Sequence, residues 1–222
     1  MDSFPIVAVA SSAGDLAAVS ELVSALPPGY RAALVIVQHV VSGREKLLSD
    51  ALEKKTALSL VHVYNDAVVE PGHIYLITAN TTLTVADGRV RVTPDPGGLQ
   101  HPGNLLFTSL ARECGESAIG IVLSGGGVDG ALGVQALKAR GGATLAQYPG
   151  SARFPGMPIS AIETGCVGFV LRPNEIAQEC ARLSRRAASP AADKDVSRPT
   201  AQTVGIPAVM YRVSGGHRPA SP

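Results

Sequence analysis

A serine, a histidine and an aspartate each follow a run of apolar, β-prone residues in this chain. They stand in Val9-Ala10-Ser11-Ser12-Ala13-Gly14, in Val37-Gln38-His39 and in Ser124-Gly125-Gly126-Gly127-Val128-Asp129-Gly130. A serine hydroxyl with a histidine to take its proton and a carboxylate as third member makes a nucleophile for acyl transfer. Ser11 and Ser12 both qualify by type. Ser11 lies closer to the strand and is read as the nucleophile, with the N–H and hydroxyl of Ser12 turned toward an oxyanion. His39 is read as the general base. The three glycines before Asp129 let backbone N–H groups form an anion-binding concavity.

Taken singly, each residue also has a plainer reading. Serine is a preferred helix N-cap, so Ser11 or Ser12 would serve the helix that follows. A lone histidine at a strand end is often structural, and Asp129 would cap the helix starting at Gly130. The conjunction favours chemistry. In an open parallel α/β sheet, ligands bind outside the carboxyl ends of the strands, where tips far apart in sequence converge.

That convergence requires alternating strands and helices. Pro5 to Ala10, Ala32 to Gln38 and Leu58 to Val63 read as strands, with helices over Leu16 to Leu26 and Arg44 to Lys55. Ile74 to Thr78, Thr82 to Val85 and Arg89 to Val92 read as a small antiparallel insertion, its hairpin marked by Asp87-Gly88. The alternation then resumes. Helices are expected near Leu105 to Cys114, from about Gly130 to Arg140, over Pro158 to Thr164, and after an Asn174 cap to about Arg185. Strands are expected over Ala118 to Leu123, Thr144 to Gln147 and Gly168 to Leu171. The fold class is α/β: a doubly wound, mainly parallel sheet with helices on both faces and a small antiparallel hairpin insertion. Residues 1–186 are expected to form one domain, and 187–222, rich in Ala, Ser and Pro, a disordered tail broken by the apolar island Val204 to Val213.

Composition bounds the partners. The 222 residues are 45% hydrophobic and 17% charged, with 19 basic against 18 acidic side chains and a net charge of +1. Lacking a basic run interleaved with aromatics, the chain is not expected to bind nucleic acid. No apolar stretch approaches the roughly 20 residues needed to span a bilayer, and no signal peptide opens the chain. A cytoplasmic protein without membrane insertion is expected. Cys114, Cys166 and Cys180 are an odd, widely spaced set, which reads as reduced thiols rather than as a disulfide framework or metal site. Of the remaining histidines, His101 in a proline-glycine loop is the one expected to line the site.

The motifs, in order and spacing, resemble the catalytic domain of CheB-type protein-glutamate methylesterases, especially the version fused to a CheR-type methyltransferase. Alongside the three segments above, Val69-Glu70-Pro71-Gly72-His73-Ile74-Tyr75 and Gly156-Met157-Pro158 carry the resemblance, which covers about residues 4 to 183. It implies that Ser11 attacks, His39 is the base and Asp129 orients His39. It further implies hydrolysis of glutamyl methyl esters on chemoreceptor-like signalling proteins, and in some members deamidation of glutamine, with no metal or cofactor. On this reading Ser12, Gly125, Gly126 and Gly127 supply or border the oxyanion site, and His101 and Met157 line the substrate. A CheR-type methyltransferase or a sensor kinase is a further implied partner.

The chain departs from the family pattern around the site. Ala13 stands where a glycine is usual, Gly126 replaces a larger residue, Val128 a small polar one, Asn104 an acidic one and Ile159 an arginine, while Tyr148 and Gly150 replace commonly acidic residues. The three implied catalytic residues are intact and the rim is rewritten. A non-hydrolytic module that binds a signalling partner is therefore the alternative expectation. A nucleotide-binding turn at Ser11 to Gly14 is disfavoured by the missing G-x-G-x-x-G spacing and P-loop lysine. The family's usual N-terminal receiver domain is not expected ahead of Ser11, and regulation is expected from the tail or a separate partner.

Overall fold

The structure is a computed structural model that describes residues 4–12, 15–38, 46–95 and 101–188. The first strand, β1 (Ile6–Ser11), is buried throughout, as is β2 (Ala33–Gln38). Both read as unbroken apolar runs because a central parallel strand is covered on both faces. Between them lies α1 (Leu16–Ser24), and after β2 come α2 (Lys46–Glu53), β3 (Ser59–His62), β4 (Ala67–Val68), β5 (His73–Leu76), β6 (Thr81–Ala86) and β7 (Arg89–Pro94). The second half contributes α3 (Pro102–Cys114), β8 (Ile119–Val122), α4 (Ala131–Ala139), β9 (Ala143–Gln147), α5 (Gly156–Glu163), β10 (Phe169–Leu171) and α6 (Pro173–Ala188).

Seven strands form one sheet in the order β10-β9-β8-β1-β2-β5-β3, and every neighbouring pair is parallel. The chain leaves β1 toward β2 on one side and later returns to its other side with β8. This reversal opens a crevice at the carboxyl ends of β1 and β8, where the Ser11 and Gly125–Asp129 segments emerge.

One expectation is corrected here. Ile74 to Thr78 was placed with the antiparallel insertion, whereas β5 is a strand of the main sheet, inserted in parallel between β2 and β3. Ile74, Tyr75 and Leu76 are all buried, which only a position covered on both faces allows. The antiparallel sheet is instead β4-β7-β6, with Asp87 and Gly88 both at positive φ in its tight turn. The last helix, α6, starts at Pro173, one residue before the expected Asn174 cap, and Asn174 Oδ1 accepts from the N–H of Glu175 at 2.9 Å. Glu175 reaches back to accept from the N–H of Arg172 at 2.8 Å, the return half of a capping box. The helix expected from Arg44 begins, within the described residues, at Lys46. Of the expected tail, only Ala187 and Ala188 are described, and they close α6.

Each face of the sheet has its own apolar layer. Ala8, Ala10, Val35, Val37 and Val122 pack with Leu106, Phe107 and Leu110 of α3, Val134 and Leu137 of α4 and Met157 of α5. Val7, Val9, Leu34, Ile36 and Ile121 pack with α1, with Leu48 and Leu52 of α2, and with Ile176, Ala177 and Cys180 of α6. Among the described residues no helix is long and apolar enough to cross a membrane.

The second layer contains a source of alkaline sensitivity. Burial, reinforced by Glu179, pushes the Cys180 thiol from an ordinary value near 9 up to about 12. Burial likewise raises Tyr30, whose hydroxyl lies 3.0 Å from Ser184 Oγ on α6. Above about pH 9 the unfolded chain releases these protons while the folded chain retains them, so stability falls as pH rises toward 12. Urea unfolding at about pH 8 and about pH 10.5 is expected to show that loss, and Cys180→Ala to make it smaller. An equal loss in wild type and variant would assign it to other groups.

Candidate functional site

Ser11 is the last residue of β1 and lies opposite Gln38, the last residue of β2. Strand alternation puts both on the Val7, Val9, Leu34 and Ile36 side of the sheet. Gln38 Nε2 donates to Ser11 Oγ at 2.9 Å and reaches the carbonyl of Ser12 at 3.5 Å. Both side chains are buried, Ser11 at 2% exposure and Gln38 at 3%. Neither serine caps α1. Asp15 holds that place, its Oδ1 accepting from Ala18 N at 3.4 Å, which removes the capping reading of Ser11 and Ser12. His39 and Ala13 lie outside the described residues.

Two bonds bind the tip of β1 to that of β8: Leu123 N donates to Ala10 O at 2.9 Å and Ser12 N donates to Ser124 O at 3.0 Å. Ser124 is clamped in turn, its N–H donating to Gln147 Oε1 at 2.8 Å and its Oγ accepting from Phe154 N at 3.0 Å. The glycines that follow differ from one another. Gly125 is buried, and its N–H donates to Phe154 O at 2.8 Å. A side chain at Gly125 would overlap Met157 Sδ and come within 3.1 Å of Ser12 Cβ. Gly126 and Gly127 are exposed, and Gly127 has φ 83°, which suits glycine. Among the described residues no acceptor meets either N–H.

These bonds narrow the expected oxyanion donors. The N–H groups of Ser12 and Gly125 are engaged within the fold, which leaves those of Gly126 and Gly127 available. Met157 also departs from expectation. It is fully buried, donates its N–H to Gly125 O at 2.8 Å, and fills the space beside that glycine instead of lining open surface.

Asp129 is 3% exposed and accepts three backbone bonds: from Gly103 N to Oδ2 at 2.9 Å, and from Asn104 N at 3.0 Å and Gly130 N at 2.8 Å to Oδ1. Two of these donors belong to the first turn of α3, so Asp129 anchors a helix remote in sequence, not only the one it precedes. The exchange is reciprocal. Asn104 Oδ1 accepts from Gly133 N in the first turn of α4 at 2.9 Å, and a Cβ at Gly133 would lie 2.5 Å from Phe107 Cβ. The two helix N-termini thereby lock together, with Gly103 against Ala10 of β1. His101 is the exposed residue before α3, and its side chain makes no capping bond.

The described residues thus form three small groups at one end of the sheet: Ser11 with Gln38; Ser12 with Gly125 and Met157; Asp129 with Gly103 and Asn104. Among the described residues no hydrogen bond joins Ser11 to Asp129. Sequence reasoning missed Gln38, Asn104 and Ser124 as structural partners of the site. For Gln38 the signal was present, since a polar residue ends an otherwise apolar buried strand.

The family model described as CheB methylesterase matches residues 7–180. The chain belongs to the CheB methylesterase family. Among its relatives, protein-glutamate methylesterase FrzG of Myxococcus xanthus is 32% identical over 171 residues, covering 76% of this chain and 51% of that protein. A protein-glutamate methylesterase/protein-glutamine glutaminase of Anaeromyxobacter dehalogenans is 34% identical, covering 82% of this chain and 54% of that protein. The chain therefore spans about half the length of the curated relatives it matches. The crystal structure of the Thermotoga maritima CheB methylesterase catalytic domain is similar at a TM-score of 0.72 and 27% identity, covering 82% of this chain and 99% of that one. The CheB methylesterase match over residues 7–180 includes the segments that meet at the β1–β8 crevice.

Proposed function

We propose that this chain is a protein-glutamate methylesterase that hydrolyses side-chain methyl esters on a chemoreceptor-like signalling protein. The observation that carries the proposal is the meeting of the Ser11-Ser12 and Ser124–Asp129 segments at the reversal of the sheet, in a member of the CheB methylesterase family. Ser11 Oγ attacks the ester carbonyl as His39 takes its proton. The tetrahedral oxyanion is held by the N–H groups of Gly126 and Gly127, and the intermediate collapses as His39 protonates the departing methanol. Water then attacks the acyl-serine, the Ser11 proton is restored, and free glutamate leaves. Asp129 orients His39. Serine, imidazole and water suffice for this chemistry. The same steps with ammonia as leaving group deamidate a glutamine, an activity carried in the names of several relatives. Partnership with a CheR-type methyltransferase, on the same polypeptide or a separate one, is proposed from the sequence resemblance.

A specific observation favours a second reading. Val128 is 57% exposed and Ile159 40% exposed, apolar groups where the family usually has polar ones, so the rim suits a partner other than the usual receptor. One experiment separates the readings: methanol release from a methyl-esterified receptor segment, beside hydrolysis of p-nitrophenyl acetate. Release from both supports the proposal. Hydrolysis of the simple ester alone keeps the serine chemistry and discards the receptor, and inertness toward both favours the binding module.

A further inference from the structure

Every polar group around Ser11 constrains where its proton goes, and the described one in contact is an amide. Gln38 Nε2 lies 2.9 Å from Ser11 Oγ, and the same nitrogen faces the carbonyl oxygen of Ser12. A carbonyl oxygen accepts only, so the end of Gln38 at this point is its NH2 group, a pure donor. A hydroxyl carries one proton and two lone pairs. With one lone pair occupied by the amide, Ser11 cannot donate back to that nitrogen, and its single proton points elsewhere.

We propose that Gln38 is a positioning residue for the nucleophile, whose amide N–H holds Ser11 Oγ in one rotamer with its proton free for the base. The inference rests on the assignment of Ser11 as the attacking serine. Three features support it. Ser11 and Gln38 are register partners at the ends of adjacent parallel strands, so backbone pairing fixes their separation. Both are buried, where a satisfied hydrogen bond is strong and an orphaned donor costly. The amide also gains importance during reaction. As the proton leaves, negative charge develops on Oγ, and an N–H aimed at that oxygen bonds it more strongly than it bonds the neutral hydroxyl. Without this donor, the hydroxyl is free to leave its productive rotamer and the developing alkoxide loses a partner.

The test compares Gln38→Met and Gln38→Glu in the full chain with p-nitrophenyl acetate as substrate, with folding followed by thermal melting. Gln38→Met preserves length and removes the donor. It is expected to lower kcat roughly 10- to 100-fold with KM unchanged, less than the roughly 10²–10³ for loss of an oxyanion donor, since Gln38 touches the attacking oxygen. Gln38→Glu carries a titrating reporter. Protonated, its O–H donates to Ser11 as the amide does; ionised, it accepts the Ser11 proton and withholds it from the base. The ratio of its rate to that of the wild type is therefore expected to approach one at low pH. It should fall as pH rises through the new carboxyl's pKa, itself raised above the ordinary value of about 4.3 by burial. A packing role introduces no such ionisation. A Gln38→Met rate within twofold of wild type, or a Gln38→Glu ratio that is flat with pH, overturns the inference. If Gln38→Glu does not fold, the kcat and KM of Gln38→Met decide it. A failure of the underlying assignment is separable, because Ser11→Ala would then retain activity.

Discussion

Ser11→Ala is expected to abolish ester hydrolysis, lowering kcat by roughly 10⁶-fold, the scale seen when a serine nucleophile working with histidine is removed. The same change leaves the Gln38 amide without its Ser11 acceptor in a buried setting, a cost of roughly 1–3 kcal/mol. The two magnitudes separate catalysis from folding. A domain with even about 5 kcal/mol of stability keeps about 2 kcal/mol after that loss and remains more than about nine-tenths folded, so unfolding accounts for almost none of the rate effect. Ser12→Ala is the comparison, because its backbone bond to Ser124 survives the substitution. It is expected to reduce the rate by no more than about tenfold, since the proposed mechanism assigns the oxyanion to backbone donors at Gly126 and Gly127. Measuring p-nitrophenyl acetate turnover by both variants, with urea unfolding in parallel, decides which hydroxyl attacks. Loss in Ser12→Ala with activity kept in Ser11→Ala would transfer the nucleophile to Ser12.

Much of the architecture was legible in the sequence because parallel strands leave a dense signal. The apolar runs of β1 and β2 have no alternation, and only a strand covered on both faces tolerates that. The hairpin at Asp87-Gly88 was legible for a different reason: the turn needs positive φ, and those residue types supply it. The strand at His73–Leu76 was misplaced because its pattern is short and its neighbours in sequence are antiparallel strands. Its partners β2 and β3 are chosen by sheet order, which local periodicity does not encode. Helix ends followed side-chain reach. Asp15 caps α1 from beyond the two candidate serines, and at the start of α6 Asn174 accepts from the N–H of Glu175 while Glu175 reaches back to that of Arg172.

The site was legible as a set of residue types and much less so as a set of contacts. Ser11, Asp129 and the three glycines stand at strand ends because their segments follow apolar runs, so their placement came with the fold. What each hydrogen bond does depends on elements far apart in the chain. The N–H of Gly125 points to Phe154 and not to the crevice, because the β9–α5 connection packs against the β8 tip, with Gly156 close beneath Gly127. Likewise, the bonds of Asp129 to Gly103 and Asn104 depend on α3 packing against α4.

Asp129 is the residue at which structural and catalytic roles are hardest to separate, and Asp129→Asn is expected to separate them. The substitution preserves an oxygen for the N–H groups of Asn104 and Gly130 but sets an amide NH2 against the N–H of Gly103, donor facing donor in a buried place. The expected loss of stability is roughly 1–3 kcal/mol, since one buried N–H loses its acceptor and the α3–α4 junction loosens. The expected loss of kcat is far greater, roughly 10⁴-fold, the scale that follows when an amide replaces the carboxylate orienting a catalytic histidine, because the imidazole is then held in the wrong tautomer. Asn104→Ala provides the contrast. It removes the reciprocal cap on Gly133 and so weakens the same helix junction, but leaves the Asp129 carboxylate and its three donors in place. Its stability is expected to fall by about 1 kcal/mol with kcat within about fivefold of wild type, a bound set by its having no contact with the reacting groups. Measuring urea unfolding and p-nitrophenyl acetate turnover on both variants places each on two axes. If Asp129→Asn lies on the same line as Asn104→Ala, activity declining only as the junction weakens, then Asp129 is a helix anchor and His39 takes its orientation from another group. If it falls orders of magnitude below that line, the carboxylate that ties α3 to α4 also orients the base.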